Sequence, residues 1–259
     1  VRRRAWLKAH ARSGGPRAGL LLARPTGPLD GPVARGLALG AHLAVHNGLV
    51  RNDLGAAYEG YTTDRYRLRR SWGVQDRAAY RETLETLLAA RLVGRPYESV
   101  LRTRHTLARR LDRTPTVAEW SDALARRRSS QAEAAEAHEA LRLAVTYEDR
   151  FRADGVLGEG ERIDTLAAFD HGRAVNVVRL ALGARLCDPG EAEQAVLRIG
   201  AVAAQAYGSW AEFSLGHSLA RVLHFGPGDP SGVKYEQSLA QHRVLTRDPD
   251  SPYRKIAWS

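Results

Sequence analysis

The chain has 259 residues, 44% of them hydrophobic, a formal net charge of +10, one cysteine and no methionine, a balance typical of globular chains of one large or two small domains. No apolar run approaches the roughly 18 to 20 residues that cross a bilayer, and the single Cys187 can close no internal disulfide and build no thiolate zinc site. These counts argue against a membrane protein and a disulfide scaffold.

Residues 1–30 are rich in Gly, Pro and Arg, and their bases face only Asp30. They read as a flexible basic arm. The apolar stretch behind VRRRAWLKAHARSGG is only Gly19 to Ala23, shorter than the roughly 7 to 15 residues of a signal-peptide core, so the expected location is the cytoplasm. Three of the 39 basic residues are lysine, Lys8, Lys234 and Lys255. Residues 1–128 carry a net charge of +14 and residues 129–259 a net charge of −4. Such asymmetry bears on association with anionic partners and not on fold.

From Pro32 onward the apolar spacing is mostly helical, with one stripe through Leu39, Leu43, His46 and Leu49 and another through Leu84, Leu87, Leu88 and Leu92. Three capping-box patterns mark helix starts, at Thr116 with Glu119, Asp188 with Glu191, and Ser209 with Glu212. Pro189 adds a first-turn proline to the second. Stop signals fall at Gly94-Arg95-Pro96, Gly155 to Gly160, and Phe225 to Gly228. Residues 129–153 read as one long helix whose first half is Ala-rich and only lightly apolar, a surface helix or a connector. The expected fold is all-α, an irregular multi-helix bundle of about eight helices with a loop-rich C-terminal end, DPDSPYRKIAW, whose Trp258 packs back on the bundle. One helical domain over residues 31–259 follows the arm.

Projected at 100° per residue, Ile163, Leu166, Asp170, Ala174, Val177 and Ala181 lie within about 40° of one another, with Arg173 beside them. A carboxylate and a guanidinium therefore share a face that should be buried. Unpaired, either would cost several kcal/mol, so a pair fixing the helix register or the floor of an anion or polar ligand pocket is expected. No second carboxylate stands beside Asp170 for acid/base work.

The run IDTLAAFDHGRAVNVVRLALGARL resembles the centre of the bacterial domain-of-unknown-function family 1266, in which a Trp-Asp, here Phe169-Asp170, is followed by Gly-Arg-Ala and a second arginine. SWGVQDRAAYRETLETLL, YGSWAEFSLGHSLARVLHF and DSPYRKIAW match further pieces in the family's order. Phe169 and His224-Phe225 depart from positions where the family has Trp. The resemblance implies a fold and a bacterial origin but no activity. It also gives weight to Asp170, Arg173, Arg179, Ser209 and Trp210 as a ligand-binding or structural polar centre.

Other chemistry is thin. His42 and His46 have the i,i+4 spacing that two metal-binding imidazoles use, yet lack an intervening acid and a third ligand, so no metal or cofactor is expected. Ser214 and His217 are i,i+3 and near enough to touch, but there is no nucleophile elbow, and Ser209 is better read as a helix cap. Cys187 reads as a small buried filler. GLALGAHLAVHNG lacks the Gly-Lys-Ser/Thr ending of a phosphate loop. The segment from His105 to Arg128 is Arg-rich and similar to a helical piece of bacterial sigma factors, so Arg109, Arg110, Arg126, Arg127 and Arg128 are the candidate phosphate contacts.

The leading expectation is a non-catalytic ligand-binding or protein-interaction module built around Asp170 and Arg173. One alternative is a nucleic-acid-associated protein using the Arg-rich half; another is a hydrolase-type effector enzyme. The expected partner is a protein or an anionic ligand, with nucleic acid second and no membrane.

Overall fold

In the computed structural model the described residues are 18–55, 60–127, 130–227, 229 and 232–258. They form eleven α-helices of seven residues or more, not about eight, together with a π-helical turn and a last short helix. In chain order these are α1 (Gly31–Ala38), α2 (Ala41–Asn47), α3 (Tyr61–Arg67) running into the π turn Leu68–Trp72, α4 (Arg77–Leu88), α5 (Arg95–Leu111) and α6 (Val117–Ala125). Then come α7 (Gln131–Ala153), α8 (Ala167–Gly183), α9 (Pro189–Ala206), α10 (Trp210–Phe225), α11 (Val233–Arg247) and α12 (Pro252–Lys255). The surplus lies in one- and two-turn pieces such as α1 to α3, which are too short for apolar periodicity to separate. Among the described residues there is no β-strand, only an isolated parallel bridge between Leu22 and Val50.

Expected helix starts are built as their chemistry requires. Thr116 and Asp188 each accept the N3 amide while Glu119 and Glu191 reach back to the cap amide. At Ser209 the hydroxyl accepts from the Glu212 amide at 3.1 Å, but the Glu212 carboxylate takes the Gly208 amide at 2.7 Å instead of closing the box. Residues 1–17 of the expected basic arm lie outside the described residues. From residue 18 the segment is tied down: the Gly19 amide donates to the Val45 carbonyl at 2.8 Å, and Arg24 pairs with Asp53 at 2.6 Å.

Helix α8 is the axis of the assembly. It packs against α2, α3, α4, α9 and α10, and every residue from Ala167 to Ala181 is buried. The amphipathic projection of residues 163–186 therefore understates it, because its polar side also meets protein. Residues 163–166 are not helical; Glu148 and Glu98 take the amides of Ile163 and Leu166 at 2.8 and 2.7 Å.

Two apolar cores flank the axis. One gathers α1, the π turn, α4, α9, Trp210 and Phe213 with the C-terminal Tyr253 and Ile256. The other gathers α5, α6, the second half of α7 and α11. Helices α8 and α10 contribute to both. Helix α7, expected to lie on the surface, buries Leu141, Leu143, Ala144, Tyr147 and Phe151 in its second half.

Candidate functional site

Asp170 sits in the first turn of α8, where a carboxylate complements the helix dipole. It is fully buried and completely answered. One oxygen pairs with Arg173 on the next turn; the other accepts the amides of Leu92 and Val93 at 2.8 and 3.0 Å. Arg173 lies over the Phe169 ring, 4.3 Å from its centroid, and 5.8 Å from that of Trp72. Burial lowers the Arg173 pKa to about 9, which leaves the guanidinium cationic at neutral pH. Arg179, two turns further on, donates to the Val50 carbonyl at 2.7 Å and helps offset burial at Asp64, whose carboxyl is pushed up to about 6. The structure thus brings Asp170 and Arg173 together and sends Arg179 to a different neighbourhood.

The two amides held by Asp170 belong to the turn between α4 and α5, which reverses through Ala90 at φ +49°. That turn forms one wall of a half-open cleft of about 990 Å³, closed by Tyr97, Glu98, Glu136 and Leu223 among others. Asp170 supports the cleft wall from behind without facing the cleft. Of the remaining expected residues, Ser209 is the α10 cap. Trp210 stacks on Tyr253 at 4.5 Å, meets Trp258 edge-on at 4.7 Å, and donates its indole N–H to the Ile256 carbonyl at 2.7 Å. These two are held in packing and capping contacts.

A second polar centre lies where α2, α10 and α11 meet. Spacing on α10 puts Ser214, His217, Ser218 and Arg221 on one face, and His42 and His46 of α2 and Gln241 and His242 of α11 close over it. Ser214 Oγ is 2.8 Å from His42 Nε2 and 2.8 Å from His242 Nδ1. His217 does not bond to Ser214 as its spacing suggested; its ring stacks on His42 at 4.1 Å, and both of its nitrogens lack a hydrogen-bond partner. Burial holds His42 and His217 well below the usual imidazole range, aided at His42 by His242 and Arg221 and at His217 by His42 and Arg221, while Gln241 favours the charged form of His42. Burial also lowers His242 to about 4.

The α2 histidines are therefore committed to Ser214 and, for His46, to Gln241 at 3.2 Å. Among the described residues no three His, Cys, Asp or Glu side chains are arranged to hold a metal. Sequence reasoning missed this centre because its partners lie as far apart as residues 42 and 214. The available signal was four polar residues along an α10 face that its apolar neighbours require to be buried. A third buried arrangement, also unforeseen, is Arg104 paired with Glu148 at 2.6 and 2.7 Å on the Trp120 ring. Burial pushes the Cys187 thiol up to about 11, which suits a filler and not a nucleophile.

Arg109, Arg110 and Arg126 are exposed; Arg127 is exposed too and reaches Thr103 at 3.3 Å. Arg128 lies outside the described residues. No helix among the described residues is long and apolar enough to cross a membrane.

A family model described as a protein of unknown function, DUF1266, matches residues 67–258. The chain belongs to this family. None of the curated proteins and none of the solved structures matches it. In this DUF1266 chain the match begins at the end of α3 and takes in α4 to α12, with Asp170, Arg173, Arg179, Ser209 and Trp210. Helices α1 and α2, with His42 and His46, precede it.

Proposed function

We propose that this chain is a non-catalytic binding module in which Asp170 and Arg173 hold the shape of a ligand cleft instead of touching the ligand. The observation that carries the reading is the double amide bond from Leu92 and Val93 to one Asp170 oxygen, which fixes the cleft wall while Arg173 neutralises the charge. A pair whose charges are both satisfied has little left to offer a reacting group, whereas the cleft in front of it is open and mixed in polarity.

The hydrolase reading has less support, since Ser214 is fully buried and its hydroxyl is engaged by two histidines. Ligand-detected NMR against a library of small polar metabolites tests the proposal. Compounds that bind the native chain and are lost on Ser99→Trp, a bulky side chain placed on the exposed cleft wall, support it. Binders that persist in that variant, or turnover of any compound, contradict it.

The exposed Arg109, Arg110 and Arg126 favour a second reading, association with nucleic acid. It requires binding whose affinity falls steeply with salt and weakens when Arg126 and Arg127 are neutralised; absence of binding at about 50 mM salt removes it.

A further inference from the structure

Among the described buried arginines, two are matched by carboxylates and two, Arg51 and Arg179, donate to the backbone carbonyls of Asp250 and Val50. Arg104 has Glu148 and Arg173 has Asp170, each pair in direct contact. Arg221 differs. It is 3% exposed, its Nη2 reaches only the ring nitrogens of His46 at a long 3.5 Å, and its Nε, like those of Arg104 and Arg173, has no hydrogen-bond partner. The Phe225 ring lies 5.4 Å away, and no carboxylate among the described residues pairs with it. An isolated buried charge costs several kcal/mol unless something of opposite sign answers it.

The groups around Arg221 are short of partners as well. Both nitrogens of His217, Nδ1 of His42, the Ser218 hydroxyl and Oε1 of Gln241 are buried and unbonded. His217 is 2% exposed. Apart from the Gln241 oxygen these are donors or groups that become donors on protonation, which is the chemistry that surrounds an oxyanion.

We propose that the junction of α2, α10 and α11 is a binding site for a small oxyanion, a phosphate or carboxylate group, anchored by Arg221 and flanked by His217, His42 and Ser218. The site is separate from the cleft behind which Asp170 lies, so either reading can fail without the other. Burial lowers Arg221 only to about 10, leaving it charged at neutral pH. Burial holds His42 and His217 neutral, with His242 and Arg221 adding to it at His42, and His42, Arg221, Arg173 of α8 and His46 of α2 adding to it at His217. At His242 of α11, burial is joined by the positive charges of Arg247 and Arg243 in disfavouring the protonated ring. An anion among these groups favours protonated imidazole, so binding takes up protons and strengthens as pH falls.

The test is calorimetry on the full chain with inorganic phosphate, sulfate and formate as separate probes at constant ionic strength. At least one probe is expected to bind saturably with a Kd of roughly 1 mM or tighter. Phosphate or sulfate alone assigns a phosphoryl-type group, formate alone a carboxylate. Arg221→Gln weakens binding by at least about tenfold, and sulfate affinity rises from about pH 8 to about pH 6. Saturable binding by none of the probes, or equal binding by Arg221→Gln, overturns the proposal. Should that variant fail to fold, native crystals grown with selenate decide the matter: an ion at Arg221 and His217 supports the site, whereas an adventitious ion only, elsewhere on the surface, or none at all overturns it.

Discussion

Two arginines one helix apart show how much depends on a single partner. Arg173 is buried against a carboxylate, and Arg221 is buried without one. Removing the charge of Asp170 leaves Arg173 uncompensated and also loosens the Leu92 and Val93 amides. Asp170→Asn is expected to lower stability by about 3 to 5 kcal/mol in urea unfolding; a change within the error of the melt would mean that the cleft wall holds without it. The buried histidines set the acid limit. Burial lowers His171 and His242 from 6.5 to about 4 and His42 and His217 well below 6.5. The unfolded chain therefore binds protons that the folded chain refuses. Their contribution is complete above about pH 6.5 and is lost as pH falls toward about 4. Asp64 works in the opposite sense, since its folded carboxyl is raised from 3.8 to about 6 and its contribution fades as pH rises through that value. Four imidazoles outweigh one carboxyl, so the urea midpoint should be lower at about pH 5 than at about pH 7.

At the scale of elements, close approach of helices governs what the chain tolerates. Gly36 of α1 and Gly200 of α9 meet at a crossing where a side-chain carbon on Gly36 would lie 2.6 Å from the Val196 carbonyl oxygen, whereas one on Gly200 would sit 3.7 Å from Gly36. Gly36→Ala should cost about 1 to 3 kcal/mol, and Gly200→Ala should be neutral or slightly stabilising because alanine is the better helix former. Thermal unfolding of the two single variants separates these outcomes. At the same scale Thr116→Ala, which removes one half of a closed capping box, should cost about 1 kcal/mol. Such caps were legible in the sequence because they are local: Thr116 with Glu119 and Asp188 with Glu191 each span three residues. The Asp170–Arg173 contact was legible for the same reason. The missed parts are contacts between distant segments. Nothing near residue 170 signals that residues 92 and 93 will donate to it, and nothing near His42 signals Ser214. Periodicity also fails on a helix such as α8 that is enclosed on every side, because such a helix has no solvent face to define a stripe.

For the whole molecule, the sharing of α8 and α10 between both cores implies that neither core survives alone. Trp120 reports on one core and Trp210 on the other. Their fluorescence transitions, isolated by Trp→Phe replacements, should coincide with loss of helical circular dichroism in denaturant. Separate midpoints would show two folding units. The charge asymmetry has a structural counterpart at this scale. Arg77 and Arg81 of α4 meet Glu191 of α9, and Arg198 of α9 meets Glu85 of α4. Basic and acidic halves are thus laced along one exposed seam, where each pair contributes little to stability. Among the described residues, exposed arginines without an acidic partner include Arg109 and Arg110 of α5 and Arg126 beyond α6, and also Arg65, Arg69 and Arg70 around the π turn, so the surface offers anionic polymers more than one basic patch.

The serine between His42 and His242 has one proton to give, and that fact couples two helices. Its oxygen can receive from both rings, but it can donate to only one of them, so at most one of the two facing nitrogens is bare. An acceptor placed against Nδ1 of neutral His42 puts that ring's hydrogen there and leaves Nε2 bare. Ser214 must then turn toward α2, and His242 must present a hydrogen at Nδ1. The polarity of the whole chain of bonds is thereby set from one end. Occupancy at α2 is written into the tautomer of a histidine on α11, where ¹⁵N chemical shifts can read it.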